Sequence, residues 1–260
     1  MMPIDDMKRA ARLAGEILLR RQADLRAVDI ESKGLKDFVT SVDREAEEAI
    51  AGFLEKRWPG IPFLAEESDA RKADAAERWI VDPLDGTTNY IHGFPVFCVS
   101  IAFQSAGRIA AGVVLDPTRN ELFCAGAGKG ATLNDRPLAV SGAVDLASGL
   151  LATGFPFREL DRLDRYLDAF RRLLTHSAGV RRAGSAALDL SYVAAGRCDG
   201  FWEIGLSPWD VAAGGLLILE AGGRVSDFGG GDEWLDGRRI VAATPGIHSE
   251  ILAHLRSTLA

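Results

Sequence analysis

The stretch Asp82-Pro83-Leu84-Asp85-Gly86-Thr87-Thr88-Asn89 follows directly on the run Trp79-Ile80-Val81. The run is short, apolar and rich in β-branched and aromatic residues, so it reads as a strand. The polar stretch then reads as a turn, with Asp and Pro in their usual turn roles. A second reading stands beside this one. Two carboxylates three residues apart across a Pro-containing turn can point into one cavity, and hard divalent cations take oxygen ligands of this kind. Gly86 and Thr87 add backbone N–H groups and a hydroxyl next to the acids.

Outward from this stretch, residues 61–64, 96–103, 109–115 and 121–125 have the same strand character and are separated by Gly, Pro or Asn turns. Together with 79–81 they read as strands of one sheet. Upstream, apolar residues recur at Met7, Ala10, Ala11, Ala14, Ile17, Leu18 and Leu25, the spacing of an amphipathic helix. After a polar stretch containing Lys33 and Gly34, a second helix is expected from near residues 40–43. It buries Ala46, Ala49, Ile50, Phe53 and Leu54 and ends before Pro59. Downstream, helices are expected over 160–174, 186–195, 210–220 and 249–259, and short strands near 201–203, 224–226 and 240–242. No repeat of fixed period and no low-complexity linker interrupts the chain.

With 260 residues and about 150 residues per domain, the chain allows one large domain or two small ones. Hydrophobic residues make up 47% and charged residues 26%, which excludes the disordered, collagen-like and disulfide-scaffold classes. No apolar stretch approaches the roughly 18 residues of a membrane span. Asp5 and Asp6 stand where a signal peptide would be basic, and no apolar segment follows them, so the cytoplasm is the expected compartment. Cys98, Cys124 and Cys198 are odd in number, widely separated and without a CxxC pair, which suits reduced buried thiols. Any metal must then be bound by oxygen. A formal net charge of -7 argues against broad, direct binding of nucleic acid, which needs a basic surface.

Further acids stand at element ends. Glu66 and Glu67 close a short strand, Asp210 opens a helix, and Asp43 lies three residues after Thr40. Singly, these read as a solvated face, a helix cap and a capping box. Jointly, acids at four separated segment ends exceed what turns and caps require. Such a cluster repels a phosphate by itself. With cations between the acids the sign inverts, because paired ions can clamp the attacking and leaving oxygens of an in-line displacement. Phosphate ester hydrolysis is the reaction this chemistry suits.

The runs Asp37-Phe38-Val39-Thr40-Ser41-Val42-Asp43, Glu66-Glu67-Ser68, Trp79 through Asn89, Gly184-Ser185-Ala186-Ala187 and Trp209-Asp210-Val211-Ala212-Ala213-Gly214 resemble the inositol monophosphatase family in order and spacing. Residues 152–158 and 181–190 look like its bacterial extragenic-suppressor branch. The resemblance implies an α/β fold, an αβαβα layered sandwich, as one domain over 1–260 with a metal-binding lobe at 1–145 and a substrate-side lobe at 146–260. It implies two or three magnesium ions held by Glu66, Asp82, the carbonyl of Leu84, Asp85 and Asp210. Thr87 paired with Asp43 would orient and deprotonate the attacking water, with Glu66 a further candidate. Gly86 and Thr87 would receive phosphate oxygens, while Asp85, Ala186, Glu203 and Asp210 would meet the hydroxyls of a sugar-like alcohol. The implied activity is an inositol-phosphate phosphatase acting on myo-inositol 1-phosphate, inhibited by lithium, in a homodimer. Fructose-1,6-bisphosphatase, histidinol-phosphatase and 3′(2′),5′-bisphosphate nucleotidase activities are the alternatives within the fold. A different class is also implied, because the branch includes a member that joins transcription antitermination complexes; here that would mean contacts with transcription-complex proteins.

Two positions depart from the family pattern: Ala65 replaces the usual Gly before the Glu pair, and residues 155–158 differ from animal members. Other signals fall away. Gly126-Ala127-Gly128-Lys129-Gly130 lacks the full phosphate-loop pattern and reads as a turn between strands. The acid spacing is DxxD, not the DxD of phosphatases with an Asp nucleophile. His92, His176, His248 and His254 form no zinc motif, and His92 is expected to be structural. Arg181-Arg182 is expected on a solvated face.

Overall fold

The structure, a computed structural model, describes residues 3–22, 30–34, 37–67, 75–157 and 159–259, with side chains of residues 30–40 left aside. The chain opens with helix α1 (Ile4–Gln22), then an antiparallel pair β1 (Ile30–Gly34) and β2 (Asp37–Thr40), then α2 (Ser41–Arg57). The stretch around Lys33 and Gly34, expected as a polar connection, is thus a strand, stabilised by its pairing rather than by apolar periodicity. Leu25, Ser68 and Arg158 lie outside the described residues. In α2, Ala46, Ile50 and Leu54 are buried as expected, while Ala49 and Phe53 are half-buried at the edge of the same face.

A seven-stranded sheet follows, in spatial order β3 (Phe63–Ala65), β4 (Glu77–Asp85), β5 (Cys98–Ser105), β6 (Arg108–Asp116), β7 (Glu121–Gly126), β8 (Gly130–Leu133) and β9 (Arg136–Pro137). The expected strands all fall in this one sheet. The first pair is parallel and the rest antiparallel. The Gly126 to Gly130 segment turns between β7 and β8, as expected.

One feature of β4 differs from the expected turn. The strand continues through Asp82, Pro83 and Leu84 to Asp85. Its register with β5 moves from Asp82↔Ser100 to Asp85↔Cys98, one residue more on β4 than on β5, which is a bulge. Pro83 has no N–H for the ladder and is tolerated at such an irregularity. The extra residue also changes direction. In a regular strand, residues three apart point to opposite faces; with one residue added between them, Asp82 and Asp85 come to the same side.

The second sheet has the order β11 (Gly179–Arg181), β10 (Leu150–Thr153), β12 (Gly200–Ile204), β14 (Arg239–Ala243) and β13 (Arg224–Ser226). The first three strands are parallel and the last two pairings antiparallel. Its helices are α4 (Leu163–His176), α5 (Ala186–Ala194), α6 (Pro208–Glu220) and α7 (Pro245–Leu259); the short α3 (Thr87–Ile91) follows β4. β8, β9, β10 and β11 were not foreseen, being short and without a clear alternation.

Three apolar clusters sort these elements into layers. Met7, Ala14, Ile50 and Leu54 of α1 and α2 pack on one face of the first sheet, against Trp79, Val81 and Ile101. Residues of α5 and α6 fill the space between the sheets. Both helices are apolar on nearly every side, as a helix covered all round must be. On the far side, Tyr166, Leu173, Ile251 and Leu255 of α4 and α7 cover Trp202 and Val241 of the second sheet. The result is the αβαβα order.

The central layer depends on close approach. A methyl at Gly112 of β6 would stand 3.0 Å from the backbone of Ala213 in α6, whereas one at Gly52 of α2 would meet nothing within 4 Å. Gly112→Ala is therefore expected to destabilise the fold by about 1–3 kcal/mol through overpacking. Gly52→Ala should stabilise it by roughly 0.5–1 kcal/mol through helix propensity. Urea unfolding midpoints of the two variants check the opposite signs.

Candidate active site

The bulge on β4 delivers the first two acids. Asp82 is buried, and its Oδ1 accepts the Leu84 N–H at 2.9 Å, which holds the bulge in shape. Asp85 is fixed from the other half of the chain. Its Oδ2 accepts the Ser185 hydroxyl at 2.7 Å and the Ala187 N–H at 2.7 Å, both at the start of α5. The buried Cys98 thiol approaches the same oxygen at 3.8 Å. Asp210 lies in the first turn of α6, where its Oδ2 accepts the Ser207 N–H at 2.7 Å. One oxygen from each of Asp82, Asp85 and Asp210 lies within 4.8 Å of the others.

These three groups open into a cavity of about 460 Å³ that Glu66, Leu84, Gly86, Thr87 and Glu203 also line. Eight of the expected site residues therefore share one space. Two do not line it. Asp43 lies behind Thr87, fully buried, with Oδ1 3.3 Å from the Thr87 hydroxyl; that hydroxyl is also 3.1 Å from the Leu84 carbonyl. Ala186 is the first residue of α5, buried between Ser185 and Ala187. Gly86 is required where it stands: its φ is 96°, and a methyl there would be 2.9 Å from the Val96 carbonyl. It leads into α3, whose first N–H groups have no acceptor within the helix.

The cavity's opposite wall comes from the segment that departs from the animal members of the family. Phe155, Pro156 and Phe157 line it, and the Arg182 guanidinium stands 5.1 Å from the Phe157 ring centroid. Arg182 is exposed, as expected, and stands at the cavity rim. Its attraction to an aromatic face is a tertiary contact that the local sequence does not signal. Asn89 joins the two walls, its Nδ2 donating to Val96 O at 2.7 Å and Ala183 O at 2.9 Å. Ser185 was noted only as part of a motif; its neighbour Asp85 is a hundred residues away in sequence, so no spacing could reveal the contact. His92 is exposed, its Nδ1 2.8 Å from the Thr88 carbonyl, a local structural role. All three cysteines are buried free thiols.

The electrostatics of the cluster favour a cation. Burial pushes the Asp82 carboxyl well above its usual range, and Glu66, Asp85 and Asp210 push it further, while the Leu84 N–H opposes them. Asp85 is raised by burial and held back chiefly by the Ser185 hydrogen bond. Five acids line the cavity against the one cation Arg182 among the described residues. Three converging carboxylates, all-oxygen donors and strong mutual repulsion together fit a hard divalent ion.

A layered αβαβα protein with such a cluster at the junction of its sheets has the architecture of a metal-dependent phosphatase. A model of the inositol monophosphatase family matches residues 3–260, and the chain belongs to that family. It is 50% identical over 256 residues to the Nus factor SuhB of Pseudomonas aeruginosa, covering 96% of this chain and 94% of that protein. Identity to the inositol-1-monophosphatase of Mesorhizobium japonicum is 46% over 254 residues, with 97% and 96% covered. The crystal structure of the extragenic suppressor protein suhB from Bartonella henselae matches with a TM-score of 0.93 at 43% identity, over 98% of each chain.

The raised carboxyls set the sign of a pH effect. A native-state value above the unfolded one means that the folded protein holds protons more tightly, so these groups lose stability for the metal-free fold as pH rises. A bound cation removes that penalty. The rise in Tm on adding magnesium should therefore be larger at about pH 8 than at about pH 5.5 and should vanish in Asp82→Asn. Differential scanning calorimetry in chelator and in magnesium tests this; a gain that is independent of pH or kept by the variant contradicts it.

Proposed function

We propose that the chain is a magnesium-dependent phosphomonoesterase that releases phosphate from myo-inositol 1-phosphate and related polyol phosphates. The convergence of Asp82, Asp85 and Asp210 oxygens within 4.8 Å carries this reading. In it, Glu66, Asp82, the Leu84 carbonyl, Asp85 and Asp210 hold two or three ions. Bound there, the ions supply positive charge for the phosphoryl oxygens and make nearby water a better nucleophile.

The chain's own groups do the rest. Thr87 donates its hydroxyl proton toward Asp43, which leaves the Thr87 oxygen free to accept from the attacking water and align it with phosphorus. Asp43, buried behind Thr87, is the proton's destination, and Glu66 is a second candidate. Gly86 and Thr87 direct N–H groups to phosphate oxygens at the start of α3. Asp85, Glu203 and Asp210 meet the alcohol from the cavity wall, and the family resemblance adds Ala186, which does not line the cavity. Inhibition by lithium, a homodimer and a cytoplasmic location complete the proposal on family resemblance; among the described residues no helix is long and apolar enough to cross a membrane.

Phosphate release from inositol 1-phosphate, fructose 1,6-bisphosphate, histidinol phosphate and 3′-phosphoadenosine 5′-phosphate tests the substrate. Magnesium-dependent turnover led by inositol 1-phosphate is expected. Asp85→Asn should lower kcat/KM by at least about a hundredfold, since a lost ligand removes several kcal/mol of charge stabilisation. A different leading substrate replaces the inositol assignment; none at all overturns the phosphatase reading.

The relative named Nus factor SuhB favours a second, additional role in association with transcription proteins. An acidic net charge of -7 suits protein contacts better than a grip on RNA. Pull-down from a bacterial lysate with Asp82→Asn is expected to retain transcription factors if this role is separate from catalysis. Retention of none sinks it.

A further inference from the structure

Glu203 occupies a position that its neighbour on the next strand makes possible. β10 and β12 run parallel with Thr153 opposite Trp202, so Gly154 comes opposite Glu203 one step beyond the last pair. The strand ends are held there: the Thr153 hydroxyl donates to the Trp202 carbonyl at 2.7 Å and lies 2.6 Å from the Tyr166 hydroxyl. The Glu203 carboxylate lies directly over the Gly154 Cα, in the volume that a methyl at Gly154 would fill. Gly154 is not among the glycines with positive φ. Nothing in its backbone demands glycine; the carboxylate above it does.

No described residue donates a hydrogen bond to that carboxylate. Burial pushes it well above the usual range, with Arg182 opposing and Asp189, Asp210 and Asp85 adding to the rise. A carboxylate sunk in a cavity wall without a donor is an acceptor that a ligand's hydroxyl can satisfy. Where the carboxylate lies decides which hydroxyls can reach it.

We infer that Gly154 is a specificity-determining position, which selects polyol phosphates by letting Glu203 lie back in the wall as a hydroxyl acceptor. The inference rests on the phosphatase reading above. A side chain at 154 would drive the carboxylate forward into the space of the alcohol, or turn it away from the alcohol's hydroxyls. The displaced group is the far end of a flexible side chain, so the fold accommodates Gly154→Ala while the subsite does not.

The test is the ratio of kcat/KM for myo-inositol 1-phosphate to that for p-nitrophenyl phosphate, whose leaving group has no hydroxyl to donate. Gly154→Ala should lower this ratio by about tenfold or more, the scale of one hydrogen bond to a charged group, mainly through KM for the inositol ester. Glu203→Ala should lower it similarly. Adding Gly154→Ala to Glu203→Ala should then change it by less than about twofold, because both act through one carboxylate. A ratio for Gly154→Ala within twofold of wild type, or a further loss in the Glu203→Ala background, overturns the inference. Should Gly154→Ala not fold, as judged by its thermal melt, Gly154→Ala combined with Glu203→Ala decides: with the carboxylate gone the double variant should fold, and its failure to fold, or an unchanged ratio for Glu203→Ala, overturns the inference. Wild type that turns over neither ester overturns the phosphatase reading and the inference with it.

Discussion

Carboxylates that repel one another are held together here by a fold that leaves them no retreat. Asp82 is buried within a strand covered on both faces, Asp85 is pinned by donors from α5, and Asp210 is tied to the first turn of α6. Each of these anchors is a hydrogen bond accepted from a backbone N–H or a hydroxyl. Among the described residues that line the cavity, Arg182 is the one cation against five acids, so a bound cation would relieve the repulsion. On the proposed function, this imbalance is what would make the cavity a receptor for cations first and, through them, for an anionic ester.

The site exists only where the two sheets meet. The bulge on β4 turns Asp82 and Asp85 to one side, but Asp85 gains its fixed orientation from Ser185 and Ala187, and Asn89 is held by Ala183. The middle helices supply those contacts. Their small residues, such as Ala213 against Gly112, let them sit close enough to both sheets to do so. Packing in the centre of the sandwich and ligand geometry at its edge are thus one problem. A shift of α5 or α6 moves Asp85's partners and Asp210 together.

Much of this was legible in the sequence. The long amphipathic helices and the β-branched strands announced themselves by periodicity, and the acids at segment ends, joined to a family resemblance, picked out eight residues that line one cavity. What stayed hidden has physical causes. The strand at residues 30–34 and the short β8 to β11 owe their form to partners rather than to apolar pattern. The bulge could not be told from a turn, since Asp and Pro suit both. Arg182 on Phe157, Ser185 on Asp85 and Gly154 beneath Glu203 join segments far apart in the chain. Spacing along the sequence carries no trace of such pairs.

The central claim is that cations, not protein side chains, make this cavity hospitable to phosphate. Binding of inorganic phosphate by isothermal titration calorimetry, with magnesium and with chelator, tests it without any assumption about the alcohol. The account predicts saturable binding when magnesium is present and none when it is removed. Phosphate binding of equal strength in chelator would contradict it, because the chain's own groups would then supply the attraction.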